Sequence, residues 1–382
     1  MIYEAQSKPV DGFISREDTK WVKGIAIILM LMHHLWAFPE RIAGGELKYL
    51  FTFFGESSIA YFGAFGKICV SLFFFIGGYG TYLSYAGKEF DIVGKLKKLY
   101  ISYWKVFVVF IPLAFLLCSN QPAYCTDSEI WSRYSSFSWQ ECLANFSGVN
   151  ISYNREWWFL PSYVVALGSF PIIRAVIEKQ ALCSNLFIIV IASILVTDFF
   201  PSVGKLEAIG SLNSNLLYSR FICQAAPFVS SFWMGMVSAK DRVLERLFRS
   251  FQDNHLLGLG SIIAILSGGV IIRQSVVGES ADFIYIPILI VMSKMLLERL
   301  NILKIVLEKI GRQSTNMWLI HSFFCYYFYP IVRVVVAPRW AVPSLFMLII
   351  LTYGASAGLT YFWNVFGEKR PGTLRPGPGK KA

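Results

Sequence analysis

Charge is scarce in this 382-residue chain: Asp, Glu, Lys and Arg make up only 15% of it, against about a quarter of an ordinary soluble domain. With 55% hydrophobic residues beside that scarcity, a soluble enzyme is excluded and a polytopic membrane protein is expected. Acids are fewer than bases, and the net charge is +11. The basic residues lie between apolar runs, which marks membrane topology and speaks against a nucleic-acid partner. Cysteine is sparse too: seven residues, an odd number, without CxxC or any other metal spacing, so no metal site is expected. The first twenty residues hold no apolar run followed by small residues, so no cleavable signal peptide is expected. No convincing repeat relates 21–200 to 219–366, which weighs against the paired halves common in carriers.

What is present is a series of ten apolar segments, each close to the 17–25 residues that cross a bilayer. They lie near 21–38, 65–87, 99–118, 157–177, 184–200, 219–239, 256–275, 281–298, 314–336 and 341–366. The expected fold is an all-α polytopic membrane protein of about ten transmembrane helices. It comprises an N-terminal segment 1–20, a membrane domain 21–366 and a basic Pro/Gly-rich tail 367–382, with no soluble domain fused at either end. Residues 47–64 are apolar but too broken to count as a span, and are expected at the interface or as a re-entrant piece. With the N-terminus inside, 24 Lys and Arg fall on the inner side and nine on the outer, so both termini are expected in the cytoplasm.

The longest outer loop, 119–156, carries Tyr124, Trp131, Tyr134, Phe137, Trp139 and Phe146. Such rings stack on sugars or line the bilayer interface, and the interfacial reading is the simpler. Cys118, Cys125 and Cys142 fall in or beside that loop, where a disulfide is open to two of them if the loop faces an oxidising space.

The first segment, Lys20 to Trp36, is apolar enough for a bilayer yet carries Lys23 and the adjacent His33 and His34. A charged side chain inside a membrane helix costs roughly 2–3 kcal/mol on insertion scales, so such residues tend to be functional. Eleven residues separate Lys23 from His34, about three helical turns, which puts both on one face with His34 about 16 Å beyond Lys23. His33 points roughly 100° away and is expected to pack or orient, with a catalytic role as its alternative.

This stretch resembles the first helix of the integral-membrane acyltransferase-3 family, whose signature is Arg, ten residues, then His. Lys23 and His34 occupy those positions, and Gly24-Ile-Ala follows the family's small-residue pattern. Lys for Arg keeps the charge but loses the planar fork that grips phosphate bidentately. Three further elements follow in the family's order. Val70-Ser-Leu-Phe-Phe-Phe-Ile-Gly-Gly-Tyr79 resembles its second-helix run, with Gly77 in place of the usual Ser. In that helix Gly77, Gly80 and Ser84 recur at helical spacing, a seam at which another helix can approach closely. Lys95-Leu-Lys-Lys98 is a cationic cluster before the third helix, where the family has a basic pair ahead of Leu and Tyr; it reads equally as a positive-inside anchor or as a phosphate contact. Gly311-Arg-Gln-Ser-Thr-Asn-Met-Trp-Leu-Ile-His321 matches the ninth helix, with Ser314, Trp318 and His321 on one face. Arg155-Glu-Trp-Trp-Phe-Leu160 is similar to an aromatic-Phe-Leu element of the family, and Glu156 is a candidate acceptor contact.

The resemblance implies transfer of an acyl group, most often acetyl, from acyl-CoA to a hydroxyl of a surface polysaccharide or other glycan. Acetyl-CoA would be the co-substrate, and the setting the bacterial cytoplasmic membrane. His34 is then the candidate general base, because neutral imidazole suits proton abstraction near pH 7. His321 would orient that base or stabilise the oxyanion. Lys23, Lys97 and Lys98 would hold the donor's phosphates. The alternative is a carrier or flippase for a lipid-linked sugar or small metabolite, since buried His and Lys and glycine-rich helices suit proton-coupled transport as well.

Overall fold

The computed structural model describes residues 12–42, 47–53, 55–118, 132–195, 199, 202, 226–253, 258–277 and 279–367. Apart from a small hairpin that pairs Thr52–Phe53 with Glu56–Ser57 and an isolated Lys48–Trp340 bridge, the regular structure is helical. The first half holds α1 (Asp18–Trp36), α2 (Ser58–Phe65), α3 (Ile68–Ser84), α4 (Ile92–Cys118), α5 (Trp139–Phe146), α6 (Phe159–Ile177) and α7 (Leu182–Ile194). The second holds α8 (Ala226–Lys240), α9 (Val243–Gln252), α10 (Leu259–Ile272), α11 (Asp282–Leu297), α12 (Asn301–Arg312), α13 (Ser314–Ser322), α14 (Tyr329–Val336) and α15 (Ala341–Gly367). Each of the ten apolar segments read from the sequence contains helix.

The protein is an all-α membrane protein. Among the described residues, four helices are long and apolar enough to cross a bilayer: Ser58–Ser84, Ile92–Cys118, Arg155–Ile177 and Ala341–Phe366. A fifth candidate is the pair Ser314–Tyr327 and Tyr329–Val336, bent by 88°. The sequence reads 314–336 as one spanning segment, and the bend has two causes. The α-helical ladder passes into a π turn at Phe323–Tyr327. Pro330 then opens α14, where its missing N–H costs nothing but where it cannot continue a helix from before.

Residues 58–65 also differ from expectation. They form α2, which continues almost directly into α3 and lengthens that span. Ser57 caps α2 by accepting from the Ala60 N–H at 3.2 Å, so a polar residue that looks like an interruption is a helix start. The loop 119–156 also contains a helix. Beyond residue 132 it folds back as α5, with Phe146 stacked on Trp104 at 5.0 Å and Tyr134 buried, while Phe137 and Trp139 remain exposed. Tyr124, Trp131 and Cys125 lie outside the described residues, as does 368–382. The Cys118 thiol is buried against the Tyr327 carbonyl at 3.8 Å, and Cys142 is a free thiol.

Helix packing is set by glycines, but not by those on the expected seam. A Cβ at Gly78 would fall 2.0 Å from the Phe232 carbonyl oxygen, and one at Gly235 would fall 2.1 Å from that of Phe75. These two glycines therefore let α3 and α8 touch backbone to backbone. A Cβ at Gly80 meets nothing within 4 Å, and Gly80 and Ser84 face a cavity instead. The same device locks α1 to α12, where Cβ atoms on Gly24 and Gly311 would fall 2.1 Å from the Leu307 oxygen and 1.7 Å from the Lys20 oxygen. Gly78→Ala should therefore destabilise the protein by about 1–3 kcal/mol through overpacking, whereas Gly80→Ala should be neutral or slightly stabilising. Thermal unfolding of the detergent-solubilised variants checks this, and equal midpoints would contradict the assigned seam.

Candidate active site

A cavity of about 1040 Å³ runs beside α1. Its wall includes Arg16, Thr19 and Lys23 at one end of that helix, and His33, His34, Phe38 and Arg41 at the other. The wall also carries rings, from Phe73 of α3, Phe159 and Tyr163 of α6, Phe228 of α8 and Trp318 of α13.

The two candidate histidines meet. The rings of His34 on α1 and His321 on α13 lie 4.5 Å apart between centroids, level with each other in the bundle. His321 is 1% exposed, and its Nδ1 stands 2.5 Å from the Trp318 carbonyl oxygen. A carbonyl only accepts, so Nδ1 carries the proton and Nε2 keeps the lone pair. That Nε2 has no partner among the described residues. The Tyr326 hydroxyl donates to the His34 carbonyl oxygen at 2.6 Å and lies 3.2 Å from His34 Nδ1. Its one proton being committed, it accepts from Nδ1, which leaves His34 Nε2 as the basic atom. His33 donates from Nδ1 to the Gly63 carbonyl at 2.8 Å, tying α1 to α2, and it also lines the cavity.

A buried ion pair stands behind the histidines. Arg41 meets the Glu156 carboxylate at 2.5 Å, the acid side chain being 5% exposed and the arginine 35%. Tyr327 donates to the other Glu156 oxygen. The Glu156 N–H donates to the Asn154 side chain at 3.1 Å, and that side chain donates in turn to Ser322 at 2.7 Å. Arg41 also lies 4.1 Å over the Tyr326 ring, a cation–π contact that steadies the tyrosine holding His34. Burial works against the Arg41 charge, but the adjacent carboxylate prevails and raises its pKa above the ordinary arginine value. Glu156, read from sequence as an acceptor contact, is therefore already paired within the protein.

At the other end Lys23 and Arg16 make no ion pair among the described residues. Lys95 joins them on the wall, donating to the Thr81 hydroxyl at 3.0 Å. Lys97 and Lys98 are exposed and do not line the cavity, so of the lysine cluster it is Lys95 that faces inward. Ser314, Trp318 and His321 all line the cavity, as their shared face requires.

The parts that Arg41, Tyr326 and Tyr327 play escaped the sequence reading, and within the Lys95–Lys98 cluster the choice fell on Lys97 and Lys98 rather than Lys95. Tyr326 lies five residues beyond His321, about 140° away on a regular α-helix. Only the π turn at Phe323–Tyr327 brings both against His34, and π turns gather at functional sites. No sequence signal announces it. Arg41 was visible as a lone cation just past the first apolar segment, but nothing in the sequence pairs it with Glu156.

Helices long and apolar enough to cross a bilayer thus surround a cavity whose wall carries two histidine rings in contact. Residues 17–358, nearly the whole chain, match the acyltransferase-3 family model, described as an acyltransferase domain. The chain belongs to that family. Neither the curated proteins nor the solved structures searched contain a match.

The ion pair is asymmetric, and so should be its loss. Arg41→Met strands a carboxylate in the interior, which costs roughly 3–5 kcal/mol. Glu156→Gln leaves a guanidinium that reaches the cavity, at a cost nearer 1 kcal/mol. Thermal unfolding should rank Arg41→Met below Glu156→Gln, and the reverse order would contradict this geometry.

Proposed function

We propose that the protein moves an acyl group, most simply acetyl, from acyl-CoA to a hydroxyl of a cell-surface glycan. The single observation that carries this reading is the pair of histidine rings 4.5 Å apart on the wall of a cavity whose other end holds Lys23 and Arg16, which make no ion pair among the described residues. In this account the acceptor hydroxyl gives its proton to His34 Nε2 as its oxygen attacks the thioester carbonyl carbon. The tetrahedral intermediate then expels the thiolate, which takes the proton back from His34. His321, held with its lone pair on Nε2, cannot donate to an oxyanion while neutral, which favours orienting the base over the oxyanion role.

Lys23, with Arg16 and Lys95 beside it, would hold the donor's phosphates as point charges. Lys97 and Lys98 would act outside the cavity, on the approach to it. The arrangement suits a chain with ten spans, both termini in the cytoplasm and a home in the bacterial inner membrane. Donor would then enter at the Lys23 end, and the glycan at the Arg41 end. A cavity that reaches both ends of α1 would serve a carrier too, but membership of an acyltransferase family favours transfer.

The test uses purified protein in nanodiscs, following acetyl-CoA binding and its slow hydrolysis. His34→Ala should keep binding and lose turnover by about 10²–10⁴-fold. Lys23→Ala should weaken binding by roughly tenfold or more. Folded wild-type protein that binds no acetyl-CoA would overturn the proposal.

A further inference from the structure

Tyr163 is a cavity-wall residue with a hydroxyl to which the proposed transfer assigns no part. Its ring is fixed on three sides: stacked on Phe159 at 5.5 Å, and edge-on to Phe74 at 5.7 Å and Phe232 at 6.5 Å. Its hydroxyl lies against the backbone of α3, where a Cβ added to Gly77 would fall 2.6 Å from Oη. That hydroxyl has no hydrogen-bond partner among the described residues, and the half-buried side chain lines the cavity. A phenol within the bundle, with no partner among those residues to receive its proton, is costly unless a ligand or water pairs with it.

Its place along the cavity indicates which part of a ligand it meets. The Gly77 carbonyl accepts from the Thr81 hydroxyl at 2.6 Å, and Thr81 in turn receives Lys95 at 3.0 Å. Tyr163 is therefore about one helical turn from the cationic end. In the other direction Phe159, its stacking partner, meets Trp318 at 5.0 Å, and the Trp318 carbonyl holds His321. Tyr163 stands between the cations and the histidines, among rings. A ligand with phosphates at the first and a thioester at the second passes it with the arm that joins them. In coenzyme A that arm is pantetheine, an otherwise apolar chain whose secondary amides need partners once they leave water.

Resting on the acyl-CoA reading above, we propose that the Tyr163 hydroxyl donates a hydrogen bond to an amide carbonyl of the donor's pantetheine arm. The ring and its neighbours form an apolar sleeve around the methylenes, and the hydroxyl sets how far the arm advances toward His34. Tyr163 is thus a donor-binding residue remote from the reacting bond.

Calorimetric titration of the purified full chain with coenzyme A, and with ADP as a ligand that has phosphates but no arm, tests this. Tyr163→Phe removes only the hydroxyl, and should weaken coenzyme A roughly five- to tenfold while leaving ADP unchanged. Gly77→Ala, whose methyl group would push the hydroxyl aside, should do the same. Unchanged coenzyme A binding in Tyr163→Phe would overturn the proposal and leave the acyl-CoA reading standing. Equal weakening of both ligands would also overturn it, since that marks a general loss of structure. Wild-type protein that binds no coenzyme A would overturn both.

Discussion

A lysine and two histidines on one apolar helix cannot face lipid without a cost of several kcal/mol, and that constraint organises the protein. Helix α1 stands in the interior, with α2, α3, α12, α13 and α15 packed around it. Its polar residues open onto a cavity and its apolar residues, Trp21, Ile27 and Leu31 among them, are buried in the core. Glycines then fix how near the neighbours come, Gly24 and Gly311 against α12 and Gly78 with Gly235 between α3 and α8. With the helices so close, the two histidine rings meet from different helices.

Around the histidines, each polar contact has a directional consequence. A carbonyl sets the tautomer of His321 and a tyrosine hydroxyl sets that of His34, so both basic atoms are defined without any charged partner. Arg41 and Glu156 act one layer further out, through Tyr326 and Tyr327. A buried ion pair contributes little net stability, and its better-attested use is to fix a geometry. Here the geometry fixed is that of the ring clamping His34.

Much of this was legible in the sequence. Each of the ten apolar segments contains helix among its described residues, and residues at the eleven-residue spacing, Lys23 and His34, both line the cavity, as do Ser314, Trp318 and His321 at spacings of four and three. Periodicity survives folding because it is local. What could not be read were departures from that period and contacts between distant segments. The π turn that swings Tyr326 toward His34 breaks the helical period, and the Arg41–Glu156 pair joins residues 115 apart. The glycine seam was misplaced by a single residue, from Gly77 to Gly78, because both lie in one Gly-Gly pair and only the partner helix decides between them. For the same reason Lys95 rather than Lys97 or Lys98 faces inward. Three lysines in the four positions 95–98 leave the choice of face to the packing.

The central claim is that one cavity holds the donor along α1, phosphates at Lys23 and acyl carbon at His34. The most direct measurement is an electron cryomicroscopy structure of the protein in nanodiscs with a non-hydrolysable acetyl-CoA analogue. The account predicts density with its phosphates among Arg16, Lys23 and Lys95 and its acyl end beside the His34 and His321 rings. Density with the phosphates at the Arg41 end, or outside this cavity altogether, would contradict it.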